Sequence, residues 1–157
     1  MASNTIVEVA EYHKDVVSAL ELYFFGRRPE ELAARLEETD LRSAFFVLTT
    51  LEAAFRDDYL CRCQKRKKDD LSRAFRAIYR SRKRNASLDE DIFETWKEQS
   101  SAPGPRLIGE LRGAFKFRHY LAHGRCGEPN YGRKYDFNFV YSLADDVLRA
   151  FPLCTFD

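Results

Sequence analysis

The sequence predicts an all-α protein. Apolar residues recur at three- and four-residue spacing in several long segments, which is the pattern of amphipathic helices. No pair of alternating segments flanks a hairpin turn. Of the 157 residues, 45% are hydrophobic and 14% are aromatic, which favours a sizeable core over disorder. We therefore expect a single domain over residues 1–157, folded as a bundle of four to five main helices plus short helices.

Three helices are predicted before residue 64. The first covers about residues 4–25 and is ended by Gly26. Its predicted apolar face consists of Val9, Tyr12, Val16, Ala19, Leu20 and Tyr23. A short helix over residues 29–36 starts with a proline, which suits a first turn. A third helix begins after Thr39 or Asp40 and continues to about residue 63.

A carboxylate interrupts the apolar seam of the third helix. The seam consists of Leu41, Phe45, Leu48, Phe55 and Tyr59. Glu52 occupies a seam position between Leu48 and Phe55, where an apolar residue is expected. A buried carboxylate needs a cationic partner, so Glu52 either pairs with a charge on another helix or lies at the rim.

A strongly basic segment follows in a chain whose net charge is only +1. Residues 62–84 contain 11 Lys or Arg and 2 Asp or Glu, whereas residues 1–61 contain 6 and 12. The segment is predicted to be a basic loop followed by a helix. Arg73, Arg76 and Arg80 lie on the outer face of that helix, and a face of one sign is a candidate RNA-binding surface. The alternative is a face that is merely solvated.

The second half of the chain predicts three more helices. Ser87 caps the first of them, and Glu90 completes a capping box. After a break at residues 100–105, a helix runs from about residue 107 to Gly124, and a last helix covers residues 137–151. The residues predicted to form the buried stripe of the 107–123 helix are Leu107, Leu111, Ala114, Phe115, Leu121 and Ala122.

Arg118 lies on this apolar stripe. A buried unpaired charge costs several kcal/mol or more, so Arg118 requires an acidic partner, an anionic ligand or a second protein surface. Pairing with Glu52 is one hypothesis, and a rotated helix that leaves Glu52 at the rim is the other.

The four cysteines do not form the paired motifs of a zinc site. They are Cys61, Cys63, Cys126 and Cys154. No signal peptide or membrane span is evident, so we expect a cytoplasmic protein. Cysteines are kept reduced in the cytoplasm, and we therefore expect free thiols. A zinc site of Cys61, Cys63, His119 and His123 is a remote alternative, because CxC with HxxxH fits the usual zinc ligand spacing only loosely.

The end of the 107–123 helix concentrates cationic and titrating side chains. Arg118 and His123 are about 140° apart on a regular helix, so they converge only if the helix end loosens or a second copy contributes. His119 shares a face with His123, and Lys116 and Arg125 add positive charge. Histidine with Arg or Lys, without evident metal ligands, suits metal-independent RNA cleavage in which the 2′-hydroxyl attacks its own phosphodiester.

The run Arg118-His119-Tyr120-Leu121-Ala122-His123 resembles the R-x4-6-H motif of the HEPN superfamily. The resemblance implies a HEPN-like bundle that dimerises, with two motifs in one composite cleft and two-fold packing along the 107–123 helix covering its apolar stripe. It implies a metal-independent endoribonuclease without a cofactor, with Arg118 and His123 as the catalytic pair and His119 in support. Toxin–antitoxin, phage-defence and CRISPR systems are the usual settings.

Partners and alternatives follow from the same resemblance. RNA, a second copy and an antitoxin or neighbouring-gene product are the expected partners, and no membrane is expected. One toxin branch has a tyrosine two residues beyond its histidine, where this chain has Arg125, so an antitoxin that modifies that tyrosine is not indicated. The alternative is a non-catalytic HEPN-like dimerisation or nucleic-acid-binding module in which Arg118 and His123 are structural.

Overall fold

A computed structural model describes residues 2–126 and 131–156, and the regular secondary structure of these residues is entirely helical. The prediction of an all-α fold is confirmed. The α-helices of this part of the chain are α1 (Ala2–Tyr23), α2 (Pro29–Gln64), α3 (Asp70–Arg82), α4 (Glu94–Gln99), α5 (Gly104–Ala122) and α6 (Phe137–Ala150). A 3₁₀ turn over Lys83–Asn85 and a π turn over Leu88–Phe93 connect α3 to α4.

Helix α2 is the central element of the bundle. It packs against α1, α3, α5, α6 and the π turn. Its buried apolar residues include Val47, Leu48, Leu51, Phe55 and Tyr59. Phe55 makes edge contacts with the rings of Phe93, Trp96 and Phe151, so one side chain joins three other segments of the chain.

The predicted break between a short helix and a long one is wrong, because α2 is continuous from Pro29 to Gln64. The Thr39 hydroxyl donates to the carbonyl of Arg35 within the helix instead of capping a new one. The Asp40 carboxylate accepts from the backbone N–H of Phe137 and so serves the start of α6. After Pro29 the segment contains no glycine or proline that would end it.

The capping prediction at Ser87 is correct in part. The Ser87 hydroxyl accepts from the backbone N–H of Glu90, as expected. The carboxylate that reaches back to the Ser87 N–H, however, belongs to Asp91 and not to Glu90. The first turn is a π turn, in which the N–H of Ile92 bonds to the Ser87 carbonyl. This wider turn brings the fourth residue after the cap into reach.

Helix α1 is much less buried than its apolar pattern predicts. Ile6 is its one fully buried residue, whereas Tyr12 and Tyr23 of the predicted face are exposed. Helix α1 contacts α2 and, more sparsely, α6. Periodicity identifies an apolar face but cannot show whether the bundle provides a neighbour to cover it.

A buried charged pair fastens the C-terminal segment to α2. Asp58 is completely buried and accepts from Arg62 Nε at 2.7 Å, Trp96 Nε1 at 3.1 Å and the Cys154 N–H at 2.6 Å. Arg62, also buried, donates from Nη2 to the Pro152 carbonyl at 2.7 Å. Each charge therefore has several partners, which a buried ion pair requires.

The expectation of four free thiols is wrong. Cys61 on α2 and Cys154 after α6 form a disulfide, with 6.0 Å between their Cα atoms. Cys63 and Cys126 are free, and burial raises the pKa of the Cys63 thiol to about 11. The pairing joins residues 93 positions apart, and only the packing of the C-terminal segment on α2 reveals it.

Among the described residues, no helix has both the length and the apolar composition needed to cross a bilayer.

We predict that Asp58→Ala lowers the free energy of unfolding by roughly 3–5 kcal/mol, because it leaves the Arg62 guanidinium buried without its carboxylate. Urea unfolding followed by circular dichroism measures the change. The neighbouring Asp57 is exposed, and Asp57→Ala is the matched control, expected within about 0.5 kcal/mol of wild type. Equal stability of the two variants would contradict the structural role of Asp58.

Candidate functional site

Helix α5 has one buried face and one open face. Its buried face consists of Gly104, Leu107, Ile108, Leu111, Ala114 and Phe117. Phe117 belongs to this face although the sequence pattern omitted it, whereas Ala122 is exposed. The chain's own core covers Leu107, Leu111 and Ala114 of the predicted stripe, so these residues need no second copy. Phe115 and Leu121 are half-buried, so the packing of a second copy against this end of the stripe stays a prediction. The opposite face of α5 is open and lines a cleft.

Arg118 lies at the edge of the buried face and pairs with Glu52. Arg118 Nη2 is 2.9 Å from Glu52 Oε2, and the two side chains are 27% and 19% exposed. The guanidinium carbon lies 5.6 Å from the centre of the Phe45 ring, and Arg118 Nε is buried without a hydrogen-bond partner. The other Glu52 oxygen accepts from Arg56 Nε at 3.0 Å. One carboxylate thus serves two arginines, and the hypothesis that Glu52 pairs with Arg118 agrees with this geometry.

His123 ends α5, and its ring lies beside that of His119. The His123 N–H bonds to the His119 carbonyl, and the next residue, Gly124, adopts φ +79°, which ends the helix. The two imidazole centres are 4.1 Å apart, and both side chains are exposed. Two imidazole rings therefore lie together in the α5 cleft.

The cleft between α5 and the π turn has a volume of about 590 Å³. Its apolar walls include Phe93 and Phe115, whose rings are 5.5 Å apart. Its basic residues are Arg112, Lys116, His119 and His123. Arg118 is not among the lining residues. A single chain therefore brings His119, His123 and Lys116 to one surface and directs Arg118 to another.

Charge is distributed unevenly along the cleft. The Arg112 guanidinium donates to the carboxylates of Asp89 and Glu94, and its hydrogen bond to Glu94 lowers the pKa of Glu94. One turn further along α5, Lys116 has no carboxylate within ion-pair distance in residues 2–126 and 131–156. The unpaired positive charge of the cleft therefore lies between Arg112 and the two histidines, where it can attract an anion.

Arg125, which the sequence predicts to bind RNA, pairs with Glu38 and so joins the end of α5 to α2. Its two terminal nitrogens lie 2.8 and 3.0 Å from the two oxygens of Glu38. Hydrogen bonds from Arg125 and then from Arg42 lower the pKa of Glu38 to about 2. The paired fork of Arg125 fixes the backbone just beyond Gly124 and thereby holds the helix end that carries His123.

The basic outer face of α3 is exposed. Arg73 makes a long, exposed pair with Asp70 at 3.6 Å, and Arg76 donates to the Lys67 carbonyl. Arg80 is exposed and has no ion pair within the described residues. Of the three residues predicted to bind RNA, Arg73 and Arg80 are therefore exposed and Arg76 is half-buried. None of them lines the α5 cleft.

The zinc alternative is not supported by the geometry. Cys61 is bonded to Cys154, and His119 and His123 lie in the α5 cleft. No cluster of three or more His, Cys, Asp or Glu side chains suited to a metal ion occurs in the part of the chain that the structure describes.

Several residues of the α5 cleft were not predicted from the sequence pattern. They are Arg112, Phe115 and Tyr120 on α5, with Asp89 and Tyr131 opposite them. The α5 members recur with Lys116, His119 and His123 at three- and four-residue spacing, so the same helical period marks a second face. Asp89 and Tyr131 carry no comparable signal, because they approach α5 only through folding.

Known proteins provide no independent guide. Models of protein families, curated protein sequences and solved structures give no match to this chain. What the chain does is therefore inferred from its own residues and their geometry.

We predict a coupling of about 1 kcal/mol between Glu52 and Arg118, because both side chains are mostly buried and 2.9 Å apart. A double-mutant cycle of Glu52→Gln and Arg118→Gln, measured by urea unfolding, provides the value. The exposed Arg106–Glu110 pair is the control, with about 0.3–0.5 kcal/mol expected. A coupling at or below that of the control would show that the 118–52 contact does not stabilise the chain.

We also predict that the Glu38 clamp is lost in acid. Its pKa is lowered from 4.5 to about 2, so its contribution to folding is fully present above pH 4.5 and disappears as the pH falls toward 2. The difference in unfolding free energy between wild type and Glu38→Gln should shrink over this interval. Urea unfolding at successive pH values measures it, and a difference that stays constant would contradict the clamp. Glu37→Gln, at an exposed neighbouring site, is the control for general loss of charge.

Proposed function

We propose that this chain is a metal-independent endoribonuclease of the HEPN type, active at a cleft that a second copy completes. The observation that carries the proposal is the pair of adjacent histidines, His119 and His123, in the α5 cleft that Lys116 also lines. Within the described residues, Lys116 has no ion pair. Two titrating groups and a fixed cation are the groups needed to cleave RNA through its own 2′-hydroxyl.

In the proposed reaction His123 takes the proton of the ribose 2′-hydroxyl. The 2′ oxygen attacks the adjacent phosphorus, the bond from phosphorus to the 5′ oxygen breaks, and the departing oxygen takes a proton from His119. The products are a 2′,3′-cyclic phosphate and a 5′-hydroxyl. Lys116 stabilises the negative charge that develops on the phosphate oxygens. DNA lacks the 2′-hydroxyl, so the reaction would be selective for RNA.

Arg118 is proposed to act from the second copy. Within one chain it is paired with Glu52 and does not line the histidine cleft. Glu52 would keep Arg56 as a partner, at 3.0 Å, if Arg118 turned away toward a phosphate. If Arg118 moved away, the Glu52 carboxylate would still have a cationic partner. The free-energy cost of moving Arg118 toward a phosphate is therefore lower.

The outer face of α3 is proposed to guide RNA. Arg73 and Arg80 offer exposed positive charge beside the half-buried Arg76, and the exposed large apolar residues of the described chain all lie outside residues 62–84. A cationic face without aromatic platforms contacts phosphates rather than bases, so its contribution should be independent of RNA sequence and should weaken with salt.

The cellular setting is proposed from the resemblance to HEPN proteins. A toxin–antitoxin or phage-defence role in the cytoplasm would require an antitoxin or another neighbouring-gene product that restrains the nuclease.

A specific observation favours the alternative function. Arg118 is neutralised by Glu52, and His123 is the residue that ends α5. Both can be structural, and the chain would then be a non-catalytic module that dimerises or binds nucleic acid through the α3 face.

The test is RNA cleavage by the purified chain, with and without EDTA. We expect cleavage that survives EDTA and leaves 2′,3′-cyclic phosphate ends. His123→Ala and Arg118→Ala should each lower the rate by roughly 10²–10⁴-fold, as expected for loss of a positioned proton-transfer group or phosphate contact. Fluorescence anisotropy with the same RNA separates binding from cleavage.

The matched control is His13→Gln, which changes the one histidine outside the cleft. This variant should cleave RNA at the wild-type rate under conditions where it is folded. RNA binding without cleavage by wild type and both variants would favour the non-catalytic module. Loss of activity on chelation would overturn the metal-independent mechanism.

A further inference from the structure

Phe46 is an aromatic ring that the bundle leaves in solvent. It lies on α2 and is 59% exposed, beside Phe45, whose ring centre is 6.3 Å away. Tyr12 on the neighbouring α1 is 71% exposed. Burying aromatic rings of this size is among the larger favourable contributions to association, so adjacent exposed rings mark an interaction surface.

Three hollows adjoin the projecting ring of Phe46. One of about 530 Å³ lies between α1 and α2 and includes Val9, Tyr12 and Val16. One of about 230 Å³ lies between α2 and the end of α5 and includes Leu41 and Leu121. The third, of about 650 Å³, extends from Phe46 toward the C-terminal segment. The surface therefore presents a projection beside the cavities that an identical projection could fill.

We propose that this Phe46 surface, formed by Tyr12, Phe46 and the three adjoining hollows, is where a second copy of the chain docks about a two-fold axis. A projection next to a hollow is self-complementary, because the two-fold rotation places each Phe46 in a hollow of the other copy. The inference rests on the proposed function only in that the proposed cleft needs a second copy.

Charges on the walls of the α1–α2 hollow fit the same arrangement. Glu8 lines the α1 wall and has no ion pair within the described residues. Arg42 lines the α2 wall and is 73% exposed. Among the described residues it pairs only with Glu38 of its own helix, which is a weak type of contact. A two-fold axis along the hollow sets the α1 wall of each copy against the α2 wall of the other. Two symmetric Glu8–Arg42 pairs follow.

The charge of this half of the chain argues against polyanionic occupants. Residues 1–61 contain 12 Asp or Glu against 6 Lys or Arg. An anionic membrane or an RNA backbone would meet net repulsion here, whereas the α3 face would attract it.

The Phe46 surface also adjoins the proposed site. Arg118 lies over the Phe45 ring, and Leu121 and Arg125 at the end of α5 form one wall of the smallest hollow. A second copy seated on Phe46 would therefore exclude water beside Arg118 and stand next to the helix end that carries His123. The partner thus borders the proposed site of each copy.

The first experiment measures the mass of the full chain by light scattering and analytical ultracentrifugation over a range of concentrations. We expect a dimer whose dissociation constant rises at least about tenfold in Phe46→Glu and in Tyr12→Lys, as for removal of buried aromatic anchors. Both residues are exposed in the monomer, so the unfolding free energy should not change. Phe25→Glu, at an exposed phenylalanine beyond the end of α1, is the control and should remain dimeric.

Charge reversal tests the two-fold geometry. Glu8→Arg and Arg42→Glu should each weaken self-association, because each homodimer then sets like charges against one another. An equimolar mixture of the two variants should recover dimers, since every pair across the axis becomes Arg against Glu. A mixture that stays monomeric would overturn the assigned pairing.

The outcomes separate this inference from the proposed nuclease. A monomeric wild-type chain, or a Phe46→Glu chain that dimerises as tightly as wild type, overturns the docking surface. A monomeric Phe46→Glu chain that cleaves RNA at the wild-type rate supports the surface and overturns the composite cleft. If the wild-type chain and Phe25→Glu dimerise, Phe46→Glu and Tyr12→Lys do not, and none of these chains cleaves RNA, the docking surface is supported and the nuclease is overturned.

Discussion

The buried pair of Asp58 and Arg62 is the contact on which the closure of the bundle depends. Asp58 is surrounded by donors from α2, α4 and the C-terminal segment, and Arg62 extends from the same turn to a carbonyl beyond α6. Two charges are tolerated in the core because each is satisfied from several directions. The same contacts determine where the chain passes after α6, and therefore why Cys154 meets Cys61.

Helix α2 also provides the second charged centre, and it is of a different kind. Glu52 is shared between Arg56 and Arg118 and lies near the surface rather than in the core. Sharing makes the contact to Arg118 replaceable, because Arg56 can neutralise the carboxylate alone. The bundle thus combines a permanent buried pair with a partly exposed one. Only the second kind can release an arginine for another task at modest cost.

The surfaces of the molecule differ in chemistry. The α5 cleft combines apolar walls with histidines and a lysine, the α3 face is cationic, and the Phe46 surface is aromatic within an acidic half of the chain. We propose a phosphodiester, a phosphate backbone and a second copy of the chain as their respective ligands. Helix α5 connects two of them, because its open face lines the cleft while its end borders the Phe46 surface.

The sequence alone determined the all-α class, the basic α3 face, the helix end at Gly124 and the anomaly of two charges on apolar seams. These features depend on local periodicity, on glycine and on charge, all of which are read within one or two helical turns. Even the Glu52–Arg118 pair could be predicted as one of two hypotheses, because two opposite charges on apolar seams can neutralise each other. The continuity of α2 was misjudged because Thr39 and Asp40 resemble caps, and only the partners at Arg35 and Phe137 show that they are not.

The tertiary structure decided what depends on contacts between distant segments. It brought Cys61 to Cys154 and Arg125 to Glu38, and it placed Arg118 outside the α5 cleft. It also showed that the core covers Leu107, Leu111 and Ala114 of the α5 stripe, whereas Phe46 and Tyr12 stay exposed. A helical pattern specifies which residues share a face, but the packing of the whole bundle determines what that face meets.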